Sequence, residues 1–173
     1  MELSGLLSFI NEIPAIRTIE TQLTHTDSSL IQPQRLFCLE EVRPYLMASL
    51  GVKFRNLFII TARDEDAERL AEEIRNFLPN SENNDPDNLY PDVLVIPTPN
   101  RKAVGNSSVE VSHKRLEVLG RLTGNADGLI IVSSITALLH PTIPLSQFSR
   151  DTHVLKTGDR VSINHLLNLW NDL

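Results

Sequence analysis

The chain has 173 residues, of which 41% are apolar, 22% charged and 5% aromatic, and its formal net charge is −6. This apolar share excludes a disordered chain, which buries too little surface to offset its backbone entropy, and the length suits one core or one core plus part of a second. The sequence shows no apolar run of about 18 residues and no secretory signal, so it predicts a cytoplasmic protein without a membrane partner.

The cysteine count and the charge restrict the chemistry further. Cys38 is the only cysteine, which excludes an internal disulfide and a zinc site with several thiolates. The acidic balance argues against attraction of nucleic acid to the whole surface, so any contact with DNA has to be local.

The first 54 residues predict helices and one short strand. Apolar residues at helical spacing indicate helices through about Thr24, with a break at Pro14. The Leu-Phe-Cys-Leu run within residues 35–39 predicts a buried strand. A helix over residues 40–50 is expected to stop at Gly51, since glycine is common just after the last helical residue.

The middle of the chain alternates strands with helices. Residues 56–61 are apolar on both faces, which predicts a strand covered on both sides. Residues 64–78 carry one apolar stripe opposite a charged face, which is typical of a surface helix. Residues 80–92, rich in Asn, Asp and Pro, predict a loop.

Two further strands are predicted over residues 93–96 and 129–132, with a helix over residues 108–122 between them. A short helix follows, ending near His140. Strands that alternate with helices of this length predict an α/β fold, namely a doubly wound, mostly parallel sheet with helices on both faces. The four predicted strands are 35–39, 56–61, 93–96 and 129–132.

The tail has a different pattern. Residues 152–156 suit a strand, and Ser162 suits the cap of a helix that carries Ile163, Leu166 and Trp170 on one face. This predicts a first domain over residues 1–151 and the opening strand and helix of a small second domain, truncated, over residues 152–173.

Nucleotide chemistry is the first function that such a fold suggests. A phosphate-binding loop needs glycines after the first strand, followed by a lysine and a hydroxyl, but this place holds Glu40 and Glu41. The strand over residues 129–132 leads into Ser133 and Ser134 where an ATPase carries acidic residues. The sequence therefore predicts no catalytic, cofactor or metal-binding residue, and Ser133 and Ser134 are interpreted as caps of the helix over 135–139.

The histidines do not suggest a metal site either. None of them forms the i, i+4 pair of a zinc-binding helix, so each is interpreted as structural or solvated. They are His25, His113, His140, His153 and His165.

One basic grouping remains as a candidate contact for a partner or a phosphate. It comprises Arg101, Lys102, Lys114, Arg115 and Arg121, with Arg160 in the tail as a further candidate. Two interpretations stay open: a face for phosphate or for an acidic partner, or the solvated side of an amphipathic helix. The lack of interleaved aromatic residues that could stack on bases favours the second.

Several segments, in order and with their spacing, resemble one family. They are similar to the N-terminal, UvrB-like module of the transcription-repair coupling factors over nearly the whole chain. The segments that carry the resemblance are 64–79, 93–97, 109–122, 128–139 and 155–167. After the strand at 93–96 the sequence departs from the family, because residues 97–105 replace the usual Trp-Glu-x-Leu-Pro-Tyr run.

The resemblance implies a fold and a function. In that family the module is a degenerate copy of UvrB whose helicase-like domain 1A lacks the phosphate loop. It implies a non-catalytic interaction module that recruits UvrA to stalled transcription for nucleotide excision repair and restrains the motor. RNA polymerase, DNA, ATP and Mg²⁺ would be bound by other domains of the parent protein, a bacterial ATP-dependent DNA translocase.

A second function class stays open. The chain could belong to a nucleotide-dependent enzyme, either a helicase-type ATPase or another doubly wound α/β enzyme. The full reading frame separates the two classes, since a coupling factor carries an RNA-polymerase-binding domain and an intact helicase motor after this module.

Overall fold

The computed structural model describes residues 3–25, 33, 35–54, 56–79, 90–99, 106–124, 128–155, 157–158, 160–164 and 167. The chain divides into two compact units, Met1–His140 and Pro141–Leu173. This division falls before the boundary after Asp151 that the sequence suggests.

The N-terminal region is helical, as predicted. A 3₁₀ helix, Ser4–Glu12, is followed by α1, Pro14–His25. Pro14 is the first residue of α1, a position that needs no backbone N–H and suits the fixed φ of proline. Ile10 and Ile16 of these two helices bury against Leu46, which fastens the N-terminal region to the next helix of the fold.

The predicted strand over residues 35–39 is wrong. These residues form no strand, and Phe37 and Leu39 are 90% and 72% exposed. A short apolar run does not by itself specify a pairing partner. A 3₁₀ turn, Glu40–Val42, then leads into α2, Arg43–Phe54.

The expected stop at Gly51 is also wrong, because α2 continues to Phe54. Gly51 is buried, and a Cβ atom built on it would overlap the end of the Ile130 side chain. Gly51 therefore permits close approach of α2 to the sheet, which is a second common use of glycine in a helix.

Replacing Gly51 with alanine tests this close approach. Because Ile130 is fully buried, overpacking is expected to outweigh the gain in helix propensity and to lower the free energy of unfolding by about 1–2 kcal/mol in urea titrations. Adding Ile130→Val should recover part of the loss. Gly120→Ala is the control, since a Cβ there meets nothing within 4 Å; equal effects of the two alanines would contradict the packing.

Three parallel strands form the sheet of the described residues. They are β1, Asn56–Thr61, β2, Asp92–Ile96, and β3, Leu129–Ser134, and their order is β1-β3-β2. Leu129 aligns with Asn56 on one side and with Asp92 on the other. The predicted α/β class and these three predicted strands are confirmed.

Helices cover both faces of this sheet. On one face α2 and α3, Asp64–Arg75, form the main core, to which β3 contributes Ile130 and Val132. On the other face α4, Asn106–Thr123, places Val118 against Leu129 and Ile131. All of β3 is buried, so the last of the three described strands is the centre of the sheet.

The prediction that residues 56–61 are covered on both sides is wrong. Phe58 and Ile60 of β1 are 47% and 57% exposed. β1 is an edge strand, and α4 contacts the opposite edge strand, β2. One face of β1 is therefore left open by the described residues.

The second unit contains α6, Leu145–Asp151, whose Phe148 is buried. The strand expected over residues 152–156 is absent from its described part, 152–155. Residues 163–164 and 167 are helical, and most of the helix predicted after Ser162 lies outside the described residues. No helix within the described ranges has both the length and the apolar character needed to cross a bilayer.

Candidate functional site: the carboxyl edge of the sheet

The carboxyl ends of the three strands bring four polar side chains to one edge of the sheet. Thr61 ends β1, Asp64 begins α3 directly after it, Thr98 follows β2, and Ser134 ends β3. In open α/β sheets this edge is where ligands bind, so the contacts of these side chains define the first candidate site.

Asp64 is the centre of this group. Its Oδ1 accepts a hydrogen bond of 2.7 Å from Thr98 Oγ1 and a second one from Ser134 Oγ. The two hydroxyl oxygens lie 3.4 Å apart. Thr61 turns away, because its hydroxyl donates to the carbonyl of Arg63 at 2.8 Å. We call Asp64, Thr98 and Ser134 the edge triad.

The hydroxyl of Ser134 is fully committed. It donates to Asp64 and accepts from the N–H of Ala137 at 3.0 Å, in the first turn of α5, Ile135–Leu139. The prediction that Ser134 caps this helix is confirmed. The same prediction for Ser133 is wrong, because its hydroxyl donates to the carbonyl of Ser134. Ser134 is fully buried, so a substrate has no access to this hydroxyl, and its hydrogen bonds to Asp64 and to the start of α5 give it a structural role. The edge triad thus ties the ends of β2 and β3 to the start of α3.

Arg115, a predicted contact for a partner or a phosphate, reaches into the same edge from α4. Its Nη1 donates to the carbonyls of Pro97 at 2.9 Å and Ala137 at 3.3 Å. Burial lowers the pKa of this guanidinium. Arg115 therefore links the residues that follow β2 to those that follow β3.

The other two described cations on α4 have carboxylate partners. Lys114 Nζ lies 2.9 Å from Glu110 Oε1, and Arg121 forms an ion pair with Asp92. The hydrogen bond between Lys114 and Glu110 lowers the pKa of the Glu110 carboxyl and raises the pKa of the Lys114 ammonium. Both side chains of the Lys114 pair are exposed, so the pair contributes little to stability.

The remaining predicted contacts lie elsewhere. Arg160 is exposed in the second unit, and Arg101 and Lys102 lie outside the described residues. The structure brings together Lys114, Arg115 and Arg121 on one helix but directs each to a different partner. Their role as partner or phosphate contacts stays a prediction.

The segment ahead of α2, where the predicted strand over residues 35–39 would have placed a phosphate loop, carries an acidic turn. Glu40 in this turn pairs with Arg69 of α3, Oε1 to Nη2, at 3.3 Å, and Arg69 also lies 3.2 Å from Asp66. Glu41 is exposed beside it. Two carboxylates here repel a phosphate and are ill suited to replace the backbone N–H groups and the lysine of a nucleotide site.

The described residues do not offer a metal site. Among them, no group of three or more His, Cys, Asp or Glu side chains is placed to hold a metal ion. The described histidines, including His113 and His140, therefore do not belong to a cluster of metal-ligating side chains.

Sequence reasoning missed Thr98 and the link from Asp64 to Ser134. A signal was available, because residues that directly follow parallel strands meet at one edge of a sheet. Comparisons of the chain with protein-family models, with curated proteins and with solved structures return no match.

Proposed function

We propose that this chain is a UvrB-like domain 1A without its phosphate loop, followed by the opening of a second domain, and that it works as a non-catalytic interaction module. In this proposal it recruits UvrA to stalled transcription for nucleotide excision repair and restrains the motor of a cytoplasmic transcription-repair coupling factor. RNA polymerase, DNA, ATP and Mg²⁺ are left to other parts of that protein.

The observation that carries the proposal is the acidic start of α3, the helix that follows the first strand, β1. In a nucleotide-binding α/β domain the helix N-terminus after the first strand offers backbone N–H groups to the phosphates, whereas the first turn of α3 holds Asp64, Glu65 and Asp66. The turn ahead of α2 is acidic as well, since Glu40 and Glu41 lie in it. The edge triad supports the same conclusion, because its Ser134 is fully buried and bonded to Asp64.

The second unit supports the binding part of the proposal. Val154, Leu155 and Ile163 are 76%, 54% and 74% exposed, and exposed apolar side chains that form a patch are a feature of surfaces that bind a partner. In the proposed protein the rest of the second domain covers this surface and completes the site for UvrA.

The first test concerns nucleotide. Isothermal titration calorimetry with Mg²⁺–ATP is expected to give no measurable heat of binding at physiological nucleotide concentration, because carboxylates occupy the start of α3, where a phosphate would bind. A Mg²⁺-dependent site of micromolar affinity would overturn the proposal and favour a nucleotide-dependent enzyme.

The second test concerns UvrA. A polypeptide extended through the rest of the second domain is expected to bind UvrA more tightly than residues 1–173 alone, since the apolar residues of the tail would then be covered. Calorimetry of both polypeptides against UvrA measures the difference. Equal affinities would show that the second domain is not the docking surface, and absence of binding by both would refute the recruiting role.

A further inference from the structure

The outer edge of β2 forms the floor of a groove. Its walls are α3 on one side and α4 on the other, and its volume is about 490 Å³. From the floor Val93 and Val95 line it, and from the α4 wall Val111 and Val118. The groove thus has apolar residues on its floor, charged residues on its walls, and runs along an edge strand between two helices.

The backbone of β2 presents hydrogen-bonding groups to this groove. The N–H of Asp92 donates to the carbonyl of Gly128 at 2.9 Å, so Asp92 faces β3. In a parallel ladder every second residue bonds to the same neighbour. Val93 and Val95 therefore turn their N–H and C=O groups outward, and no described strand pairs with them.

Arg75 provides direct confirmation of this geometry. Its Nη2 donates to the carbonyl of Val93 at 2.8 Å, which requires that carbonyl to point away from β3. A guanidinium on an edge carbonyl is a way to protect an open strand. It protects only one of the outward groups, because the N–H and C=O of Val95 lie farther along the strand.

The walls of the groove are acidic. Glu68 and Glu72 line it from α3, and Glu117 lines it from α4. Of the two cations that also line it, Arg75 is bonded to Val93 and Lys114 to Glu110. The three carboxylates outnumber the two cations in the lining, and one of these cations is shared with Glu110, so the groove has a net negative charge that favours an occupant with positive charge.

We propose that this groove is a docking site for an extended segment of another protein, which adds to β2 as a fourth strand. The side chains of an added strand alternate between the two walls. Basic side chains would face Glu68 and Glu72, and the apolar ones between them would face Val111. The segment that fits is an alternating basic and apolar strand, which is the strand-addition mode of peptide recognition. This site is separate from the proposed UvrA surface and does not depend on it.

The direct test uses a fluorescein-labelled peptide that alternates lysine and valine over seven residues. Fluorescence anisotropy with the full chain is expected to show saturable binding, weakened at least tenfold by Glu68→Gln with Glu72→Gln. A matched control replaces Glu65 and Glu73 of the same helix, which do not line the groove. No binding at millimolar protein, or equal weakening by the control pair, would overturn the proposal.

A second measurement separates strand addition from simple charge attraction. Two further peptides carry N-methyl groups on alternate backbone amides, one on the odd-numbered and one on the even-numbered residues. The methyl groups remove backbone N–H donors but keep the lysine charges. One of the two methylated peptides is expected to bind at least tenfold more weakly, whereas equal binding of all three would refute strand addition. Arg75→Gln is expected to strengthen binding of the unmethylated peptide several-fold, since it frees the Val93 carbonyl.

Sedimentation of the chain without peptide tests whether a second copy of this chain occupies the groove. The chain is expected to sediment in the same way whether or not Glu68 and Glu72 are replaced. A dimer that dissociates on that replacement would show that a second copy of this chain occupies the groove, and would overturn the assignment to another protein.

Discussion

Replacing Ile130 with alanine is expected to lower the free energy of unfolding by about 3–5 kcal/mol, the upper part of the range for a large aliphatic side chain in a core. Ile130 is fully buried on the central strand and packs among residues of α2, α3 and both edge strands. The site cannot collapse easily, because close-packed elements surround it on every side. Urea titration followed by circular dichroism measures the change.

The sheet offers a matched control for this substitution. Ile60 of β1 has the same side chain, but 57% of it is exposed, so Ile60→Ala is expected to cost less than about 1 kcal/mol. If the two alanine variants lost similar stability, this result would contradict both the exposure of Ile60 on the open face of β1 and the burial of Ile130 on the central strand.

Replacing Asp64 with alanine is expected to cost about 2–4 kcal/mol. The substitution removes the acceptor for two hydroxyl donors, Thr98 and Ser134. Ser134 is fully buried, and a buried donor left without an acceptor costs about 1–3 kcal/mol by itself. Loss of charge from the first turn of α3 adds a smaller amount.

Asp66→Ala is the matched control, since Asp66 lies in the same helical turn and carries the same charge. Its contact is an exposed ion pair with Arg69, which is expected to contribute less than about 1 kcal/mol. The difference between the two variants isolates the edge triad. A difference below about 0.5 kcal/mol would mean that solvent replaces its hydrogen bonds.

The elements that sequence predicted well are those whose pattern is local. The strand over residues 56–61 has the predicted bounds, and the strand predicted over residues 129–132 is two residues longer in the structure, where it ends at Ser134. The helix from Asp64 ends at Arg75, three residues before the predicted end. Apolar periodicity and Pro79 determine these elements with little help from the rest of the chain.

The errors arise where distant residues decide. Gly51 has the local appearance of a helix stop, but its role depends on Ile130, far along the chain. The apolar run over residues 35–39 lacks a described strand to pair with and remains exposed. The open face of β1 likewise follows from the position of α4, which no local pattern specifies.

The candidate site shows the same limit. Asp64 was recognisable as a first-turn carboxylate and Ser134 as a helix cap, each from its neighbours in sequence. Their hydrogen bond joins residues 70 positions apart, and it follows only from the parallel order of the strands. Arg115 was recognisable as a cation, but its carbonyl partners at Pro97 and Ala137 depend on tertiary packing.

The strand order also has a consequence for synthesis on the ribosome. Among the described strands, β1 and β2 pair only with β3, and the contact between Asn56 and Leu129 spans 73 positions. A nascent chain therefore carries two unpaired strands until β3 has emerged. At about 5–20 residues per second, the interval between β2 and β3 lasts roughly 2–7 s. During this time the exposed strand edges need a chaperone or a fast collapse of α2 and α3 to keep them from pairing with other chains.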